Sequence, residues 1–283
     1  MSTNSGLLSD TDYEPIEGKT KIVTSRRCSF RVSIFNKDSV SRLDGAEIIA
    51  VPNKGAFVTR ISCKCFRLLE ESGVNTHFVR QLASNVFEAL EMRMIPIEVV
   101  IRRETPDGSS FLKRHPGLKK TTFIQPRVEF FFKGVAEGYH DPIMFFNGKR
   151  VRWELHVASK PLGTGFLKFL LPKDVNNGPQ NQEDAKKMKK IARKVFLILE
   201  RAFKKQGFTL LDLKIEFGIW IGDLSGFNII VADVIDADSF RVLDENQVDL
   251  SKQVFRDAKE ITPELIRKIQ ENYIRIAEIT NKF

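Results

Sequence analysis

A chain of 283 residues, 42% hydrophobic and 29% charged, has ordinary globular composition and is long enough for one large domain or two lobes sharing a cleft. Its longest apolar runs, such as Asn228-Ile229-Ile230-Val231-Ala232, fall far short of the roughly 18 residues of a membrane-spanning helix, and its polar, acidic start lacks a signal-type apolar core, so no membrane role is expected and the cytoplasm is the expected compartment. The net charge of +9 leaves two classes open, a nucleic-acid binder or an enzyme handling phosphorylated small molecules.

Taken in order, residues 1–13 read as a loose polar tail. Glu17 to Val23 and the alternating Phe30-Arg31-Val32-Ser33-Ile34 predict two strands of a hairpin, with a basic turn at Ser25-Arg26-Arg27. Phe57, Ile61, Cys65, Leu68 and Leu69 recur at helical spacing, predicting a helix from about Gly55 to Glu71 that Gly73 stops. Met94 to Ile101 is a strand that Pro96 marks as interrupted or edge-like. A small N-terminal lobe followed by a linking strand is the organisation this implies.

Arg127 to Lys133 predicts a further strand, and the Gly, Pro and Asn content of 161–182 predicts a long surface loop. From about Glu183 to Gln206 a helix places Ala192, Val195, Phe196, Leu199 and Phe203 on one stripe, opposite much of a lysine-rich run between Lys186 and Lys194. Strands follow at 212–217 and 229–235, joined through a turn at Asp223-Leu224-Ser225-Gly226. Thr262 as N-cap and Pro263 at the first helical position open a closing helix carrying Leu265, Ile269, Tyr273 and Ile276. There is no internal repeat.

The chemistry concentrates on Asp212-Leu213-Lys214-Ile215-Glu216-Phe217, whose alternation sends three charged residues to one face. If the next strand folds back as a hairpin, Asp233 comes opposite Glu216, giving two carboxylates beside a lysine, a set suited to Mg²⁺ and nucleotide phosphate. The alternation alone is served as well by a solvated sheet face in which Lys214 forms ordinary cross-strand pairs. Gly18-Lys19-Thr20 is no P-loop, since Tyr13 stands where the first glycine belongs; Lys19 and Lys21 could instead line a basic turn over a triphosphate. A third cluster, Arg102-Arg103-Glu104 with Gly108-Ser109-Ser110 and Lys113-Arg114, suits a phosphate or carboxylate, or else a salt-bridged surface loop. Cys28, Cys63 and Cys65 lack zinc-ligand spacing and read as reduced structural thiols. His77, His115, His140 and His156 lack it too and read as structural or surface residues.

In order along nearly the whole chain, Glu17-Gly18-Lys19-Thr20-Lys21, Met94-Ile95-Pro96-Ile97-Glu98, Arg102-Arg103, Ser110-Phe111-Leu112-Lys113-Arg114, Phe131-Phe132-Lys133, Lys214-Ile215-Glu216-Phe217-Gly218, Ala232-Asp233-Val234-Ile235-Asp236 and Asp238-Ser239-Phe240-Arg241 resemble SAICAR synthetase, phosphoribosylaminoimidazole-succinocarboxamide synthase. The pattern is most like the synthetase half of the bifunctional animal enzyme. The resemblance implies an α+β, two-lobed, ATP-grasp-like fold of antiparallel sheets with flanking helices, divided at 1–97 and 98–283, with ATP in the interlobe cleft. It also implies the reaction. Carboxyaminoimidazole ribonucleotide (CAIR), ATP and L-aspartate would give the succinocarboxamide nucleotide, ADP and phosphate through an acyl phosphate, in purine biosynthesis.

Carried over residue by residue, Lys19, Lys21 and Lys133 contact ATP phosphates, Met94 and Glu98 lie along the adenine, and Glu216 and Asp233 hold Mg²⁺. Asp212 and Lys214 orient the imidazole and its carboxylate, while Arg102, Ser109 or Ser110, and Arg241 grip the ribose phosphate. A homodimer is what the resemblance suggests, and no second, carboxylase domain has room before Phe283, so the substrate is expected from a separate protein. Departures fall at Gly134-Val135, where many bacterial members are acidic, in the longer loop from Thr105 to Ser110, and at 143–179, which matches little in the family. The pocket for aspartate is therefore unassigned. Two other readings stand beside this one: an ATP-dependent ligase or kinase of the same scaffold with another carboxylate or amine, and a nucleic-acid binder using the Lys186 to Lys194 face.

Overall fold

The computed structural model describes residues 15–25, 29–42, 46–106, 108–222 and 227–283. The expected tail at 1–13, the turn residues Arg26 and Arg27, Cys28, and the turn at Asp223 to Gly226 lie outside them. In chain order the strands β1 (Ile16–Glu17), β2 (Lys21–Ser25), β3 (Arg31–Asn36), β4 (Ser39–Arg42) and β5 (Glu47–Ala50) precede helix α1 (Lys54–Glu71). Then come β6 (Phe78–Ala83), β7 (Val86–Leu90) and the long β8 (Met92–Glu104), α2 (Ser110–Arg114), β9 (Thr122–Phe132), β10 (Val135–Ala136), β11 (Tyr139–His140), β12 (Ile143–Asn147), β13 (Arg152–His156) and β14 (Phe166–Leu170). Helix α3 (Gln182–Lys205), β15 (Thr209–Trp220), β16 (Ile229–Ala232), β17 (Phe240–Leu243), α4 (Gln253–Asp257) and α5 (Pro263–Thr280) complete the chain.

Two antiparallel sheets carry the architecture. The first has the order β1-β2-β3-β7-β6, and the second runs β14-β13-β12-β9-β8-β15-β16 with β17 also on β15. The expected first strand is divided: Gly18 N–H donates to Lys21 C=O at 2.8 Å and closes a turn between β1 and β2. The hairpin partner is as expected, with Val23 opposite Ile34 across β2 and β3. Helix α1 packs on β3 and β6 and against α5, while α3 covers β15 and β9, so one continuous apolar core links both sheets through Phe66, Phe87, Phe196, Phe203 and Phe217. All five residues of the α3 stripe are buried. Asn181 caps that helix by accepting from Asp184 N–H at 2.9 Å, and Glu183 with Lys204 and Lys205 set charges of the right sign at its two ends. Thr262 caps α5, accepting from Leu265 N–H at 3.2 Å.

Three expectations are corrected or narrowed. Of the two alternatives at Pro96, the interruption is found and the edge is not: β8 lies between β9 and β15. The missing proline N–H is tolerated because it falls where the ladder shifts register, between the pairs Glu98–Glu216 and Met94–Gly218. Gly218 is required in that irregular stretch, since a Cβ there would stand 2.8 Å from Met92 Cβ. The loop expected over 161–182 contains β14, paired with β13, because Phe166 to Leu170 is an apolar run flanked by turn residues. Finally, the strand expected over 229–235 ends at Ala232, since Asp233 takes φ +68°, where a pleated strand cannot continue.

Cys63 and Cys65 sit on α1, buried and unpaired. Burial pushes the Cys63 thiol up to about 12, with Arg67 pulling only weakly the other way, and drives Cys65 higher still. At pH 8 the reactive thiolate of Cys63 is therefore about one part in 10⁴. Maleimide at pH 8 should leave the Cys63 and Cys65 peptides unmodified in the native chain and modify both after denaturation, read by peptide mass mapping. Labelling of either native thiol within minutes would contradict this burial.

Candidate active site

Strand β15 places the site because it is central, with β8 on one side and β16 and β17 on the other. Its three charged residues do not decorate a solvated face. Asp212 is only 6% exposed, and Lys214 and Glu216 are half-buried. Cross-strand register puts Asp212 beside both Arg102 on β8 and Arg241 on β17, and Glu216 beside Glu98.

Above this strand lies a cleft of about 700 Å³ reached by Glu98, Arg102, Ser109, Ser110, Asp212, Lys214 and Arg241, so the expected substrate residues are brought together. Asp212 is fully engaged within it. Arg102 Nη1 donates to its Oδ2 at 2.8 Å, and Arg241 donates from Nε to Oδ1 at 2.9 Å and from Nη2 to Oδ2. Although burial works against its charge, Asp212 holds Arg241 above the usual arginine range. Asp212, expected to orient the imidazole, lines the cleft and at the same time holds the two guanidinium groups of Arg102 and Arg241 there. Of the two serines, Ser109 caps α2, accepting from Leu112 N–H at 3.4 Å, whereas Ser110 Oγ meets Arg102 Nη2 at 3.4 Å. Lys214 pairs with Glu98 at 3.0 Å. Burial pulls its pKa down, but Glu98 more than offsets this by charge and hydrogen bond, so the ammonium persists. Arg103, by contrast, turns away to Glu200 on α3, with contacts of 2.5 and 2.8 Å.

Lys19, Lys21, Met94, Lys133, Glu216 and Asp233 lie outside that lining, and four of them form a second cluster joined to it through the Glu98–Glu216 pair. Lys133 Nζ donates to Glu216 at 2.5 Å, and Lys21 pairs with Asp233. The register differs by one from the sequence expectation: Ala232, not Asp233, is opposite Glu216, and Asp233 follows just past the end of the strand. Burial draws Lys21 down to about 8, with Glu216 opposing and Lys133 adding to the shift. Met94, 38% exposed, lies opposite Gly218.

Sequence reasoning missed two supports. His77 is buried, and burial with nearby Lys21 lowers it to about 3, so it is neutral. Its Nε2 lies 2.8 Å from Asp233 C=O; a carbonyl only accepts, so Nε2 carries the proton and fixes the left-handed backbone that aims Asp233. Nothing in Asn75-Thr76-His77 announces this. The second support is Asp238, which accepts from Tyr273 Oη at 2.6 Å and Lys54 Nζ at 3.2 Å and lies 3.9 Å from Lys252 in the cleft. Burial pushes the Asp238 carboxyl up, but Lys54, Lys252 and Tyr273 outweigh it and hold it at about 2.

Among the described residues no group of three or more His, Cys, Asp or Glu forms a metal cage. Glu216 on β15 and Asp233 just past the end of β16 offer hard oxygen donors, each now matched by a lysine, and two such donors fit a Mg²⁺ held mainly by nucleotide phosphates. The basic residues of α3 are partly committed to packing: Lys187, Arg193 and Lys194 donate to the carbonyls of Phe227, Pro126 and Gly73 at 2.7, 3.0 and 2.8 Å. No helix among the described residues is long and apolar enough to cross a membrane.

Residues 14–273 match the family model of SAICAR synthetase. Over 276 residues the chain is 35% identical to phosphoribosylaminoimidazole-succinocarboxamide synthase of Chloroflexus aurantiacus, covering 96% of this chain and 97% of that protein. It is 35% identical over 269 residues to the human bifunctional phosphoribosylaminoimidazole carboxylase/phosphoribosylaminoimidazole succinocarboxamide synthetase, of which the match covers 56%. A solved SAICAR synthetase in complex with ADP superposes with a TM-score of 0.70 at 29% identity, covering 92% of this chain and 97% of that one. The family match over residues 14–273 and 35% identity along nearly the whole chain show that it belongs to the SAICAR synthetase family.

Proposed function

We propose that the chain joins L-aspartate to CAIR at the expense of ATP, giving SAICAR, ADP and phosphate, as a cytoplasmic enzyme of purine biosynthesis. The observation that carries this is the juxtaposition of two unlike clusters on one strand: an arginine-rich end at Asp212 and a carboxylate–lysine end at Glu216, with Lys214 between them. The first suits a ribose phosphate, the second a metal-bound triphosphate. A carboxylate placed at Lys214 lies between both.

In this reading the first sheet with α1 covers ATP, and the second sheet carries the imidazole nucleotide and the metal ligands. Lys19, Lys21 and Lys133 neutralise the triphosphate, with adenine along β8 between Met94 and Glu98. Glu216 and Asp233 would hold Mg²⁺, which when bound offsets charge on the β- and γ-phosphate oxygens. Lys214 holds the substrate carboxylate while one of its oxygens attacks the γ-phosphorus and ADP departs. The aspartate amine then attacks the acyl carbon, the C–N bond forms, phosphate leaves, and the amine nitrogen gives up its surplus proton. Positioning and charge stabilisation suffice, with no side-chain nucleophile. A homodimer is part of the proposal.

The test is a coupled assay of ADP release with each substrate omitted in turn. Release that requires both CAIR and aspartate is expected. Release driven by another carboxylate or amine would overturn the substrate assignment while leaving the nucleotide site intact.

A further inference from the structure

Arg102 is also held from outside the cleft. Its Nε donates to Glu129 Oε2 at 2.9 Å, and the other oxygen of Glu129 accepts from Arg114 Nη2 at 2.6 Å. Arg114 has a fully buried side chain, lies over the Phe131 ring at 5.6 Å, and donates from Nη1 to Ala158 C=O at 2.7 Å. Neither Glu129 nor Arg114 lines the cleft.

The allocation of Arg102 donors is what gives this arrangement a function. Nε is taken by Glu129 and Nη1 by Asp212, which leaves Nη2 directed toward Ser110 at the cleft. A guanidinium is a rigid planar fork, so fixing two of its edges fixes the third. Burial raises the Glu129 carboxyl pKa, but Arg114 and Arg102 more than offset this and keep it ionised. In the connected network four guanidinium groups, Arg127 at 3.8 Å from Glu129 included, face two carboxylates, so positive charge is in excess where a dianion would dock.

We infer that Glu129 and Arg114 are positioning residues that aim Arg102 at the phosphate of the imidazole substrate, and that the turn at Ala158 is tied to phosphate recognition through Arg114. This deepens the proposed function and rests on its assignment of a phosphorylated substrate to the cleft. It gives part of the 143–179 segment a role: Ala158 carries the carbonyl that anchors the relay's far end.

The experiment measures KM for all three substrates, and the preference for CAIR over its dephosphorylated nucleoside, in wild type and Glu129→Gln. Glutamine keeps the shape and one acceptor but loses the charge. One charge-assisted hydrogen bond corresponds to roughly 10- to 100-fold in binding, so KM for CAIR should rise at least about 10-fold, the preference for the phosphorylated form should fall by a similar factor, and KM for ATP should stay within about 2-fold. Glu129→Asp should recover part of the preference. If Glu129→Gln does not fold, Arg114→Lys carries the same test, since lysine keeps the charge but cannot span Glu129 and Ala158 together. A uniform rise in all three KM values, or unchanged phosphate preference in a folded variant, would overturn the inference. Turnover by wild type with a different phosphorylated carboxylate would overturn the proposed function instead, and the same selective loss would then be read with that substrate and its dephosphorylated form.

Discussion

Glu216→Gln is expected to lower ADP release by about three orders of magnitude while leaving the melting temperature within about 3 °C of wild type. With Glu216 as a metal ligand, as proposed, its loss removes several kcal/mol of charge stabilisation from phosphoryl transfer, and about 4 kcal/mol is about 10³ in rate. Its cost to folding is small for a separate reason. The Glu216 partner in the structure is Lys133, whose side chain is 41% exposed against 14% for Glu216, and an ion pair with one end open to water, whose carboxylate is replaced by a neutral amide of the same shape, contributes about 1 kcal/mol. Asp233→Asn is the companion variant: asparagine tolerates the left-handed backbone at φ +68°, so its His77 contact survives and activity alone should fall. Circular dichroism and a thermal melt beside the coupled assay separate the two quantities. Near-normal turnover in Glu216→Gln would remove this residue from the metal–nucleotide site.

The contrast between these residues shows what the sequence could and could not display. Period-2 alternation over 212–217 was legible because a strand imposes it locally, and the α3 stripe and the Thr262-Pro263 start of α5 were legible for the same reason. The identity of each partner was not. Arg102 and Asp212 are 110 residues apart in sequence, and only the β8–β15 register brings them together, so the role of Asp212 as an anchor for arginines is not visible in its own segment. Pro96 marks a strand as interrupted or edge-like, and only the register shift beside Gly218 decides for an interruption within an inner strand. Phe166 to Leu170 was hidden by the turn residues on either side. His77 and Lys54 gave no signal at all, because a buried histidine or lysine is made useful by what folds around it, Asp233 for one and Asp238 for the other. Family resemblance supplied the division of labour along β15, which alternation alone left open.

Asp212→Asn should behave unlike Glu216→Gln, losing stability and activity together. Asparagine leaves Arg102 and Arg241 facing each other across β15 with one carboxylate fewer, and breaking a buried pair in this way costs about 3–5 kcal/mol because an uncompensated charge stays behind. For a chain of this length that is a fall of roughly 6–15 °C in melting temperature, and kcat/KM for CAIR should fall by at least about 10²-fold as both guanidinium groups lose their aim. The second substitution Arg241→Gln, added to Asp212→Asn, decides which loss belongs to which cause. Removing the surplus cation should restore a good part of the melting temperature, since the penalty lies in the unpaired charge. It should not restore kcat/KM, because the phosphate would then have lost one of its own partners. Recovery of stability and of activity together would mean that Arg241 serves only to match Asp212, and that the phosphate is held by Arg102 and its neighbours without it.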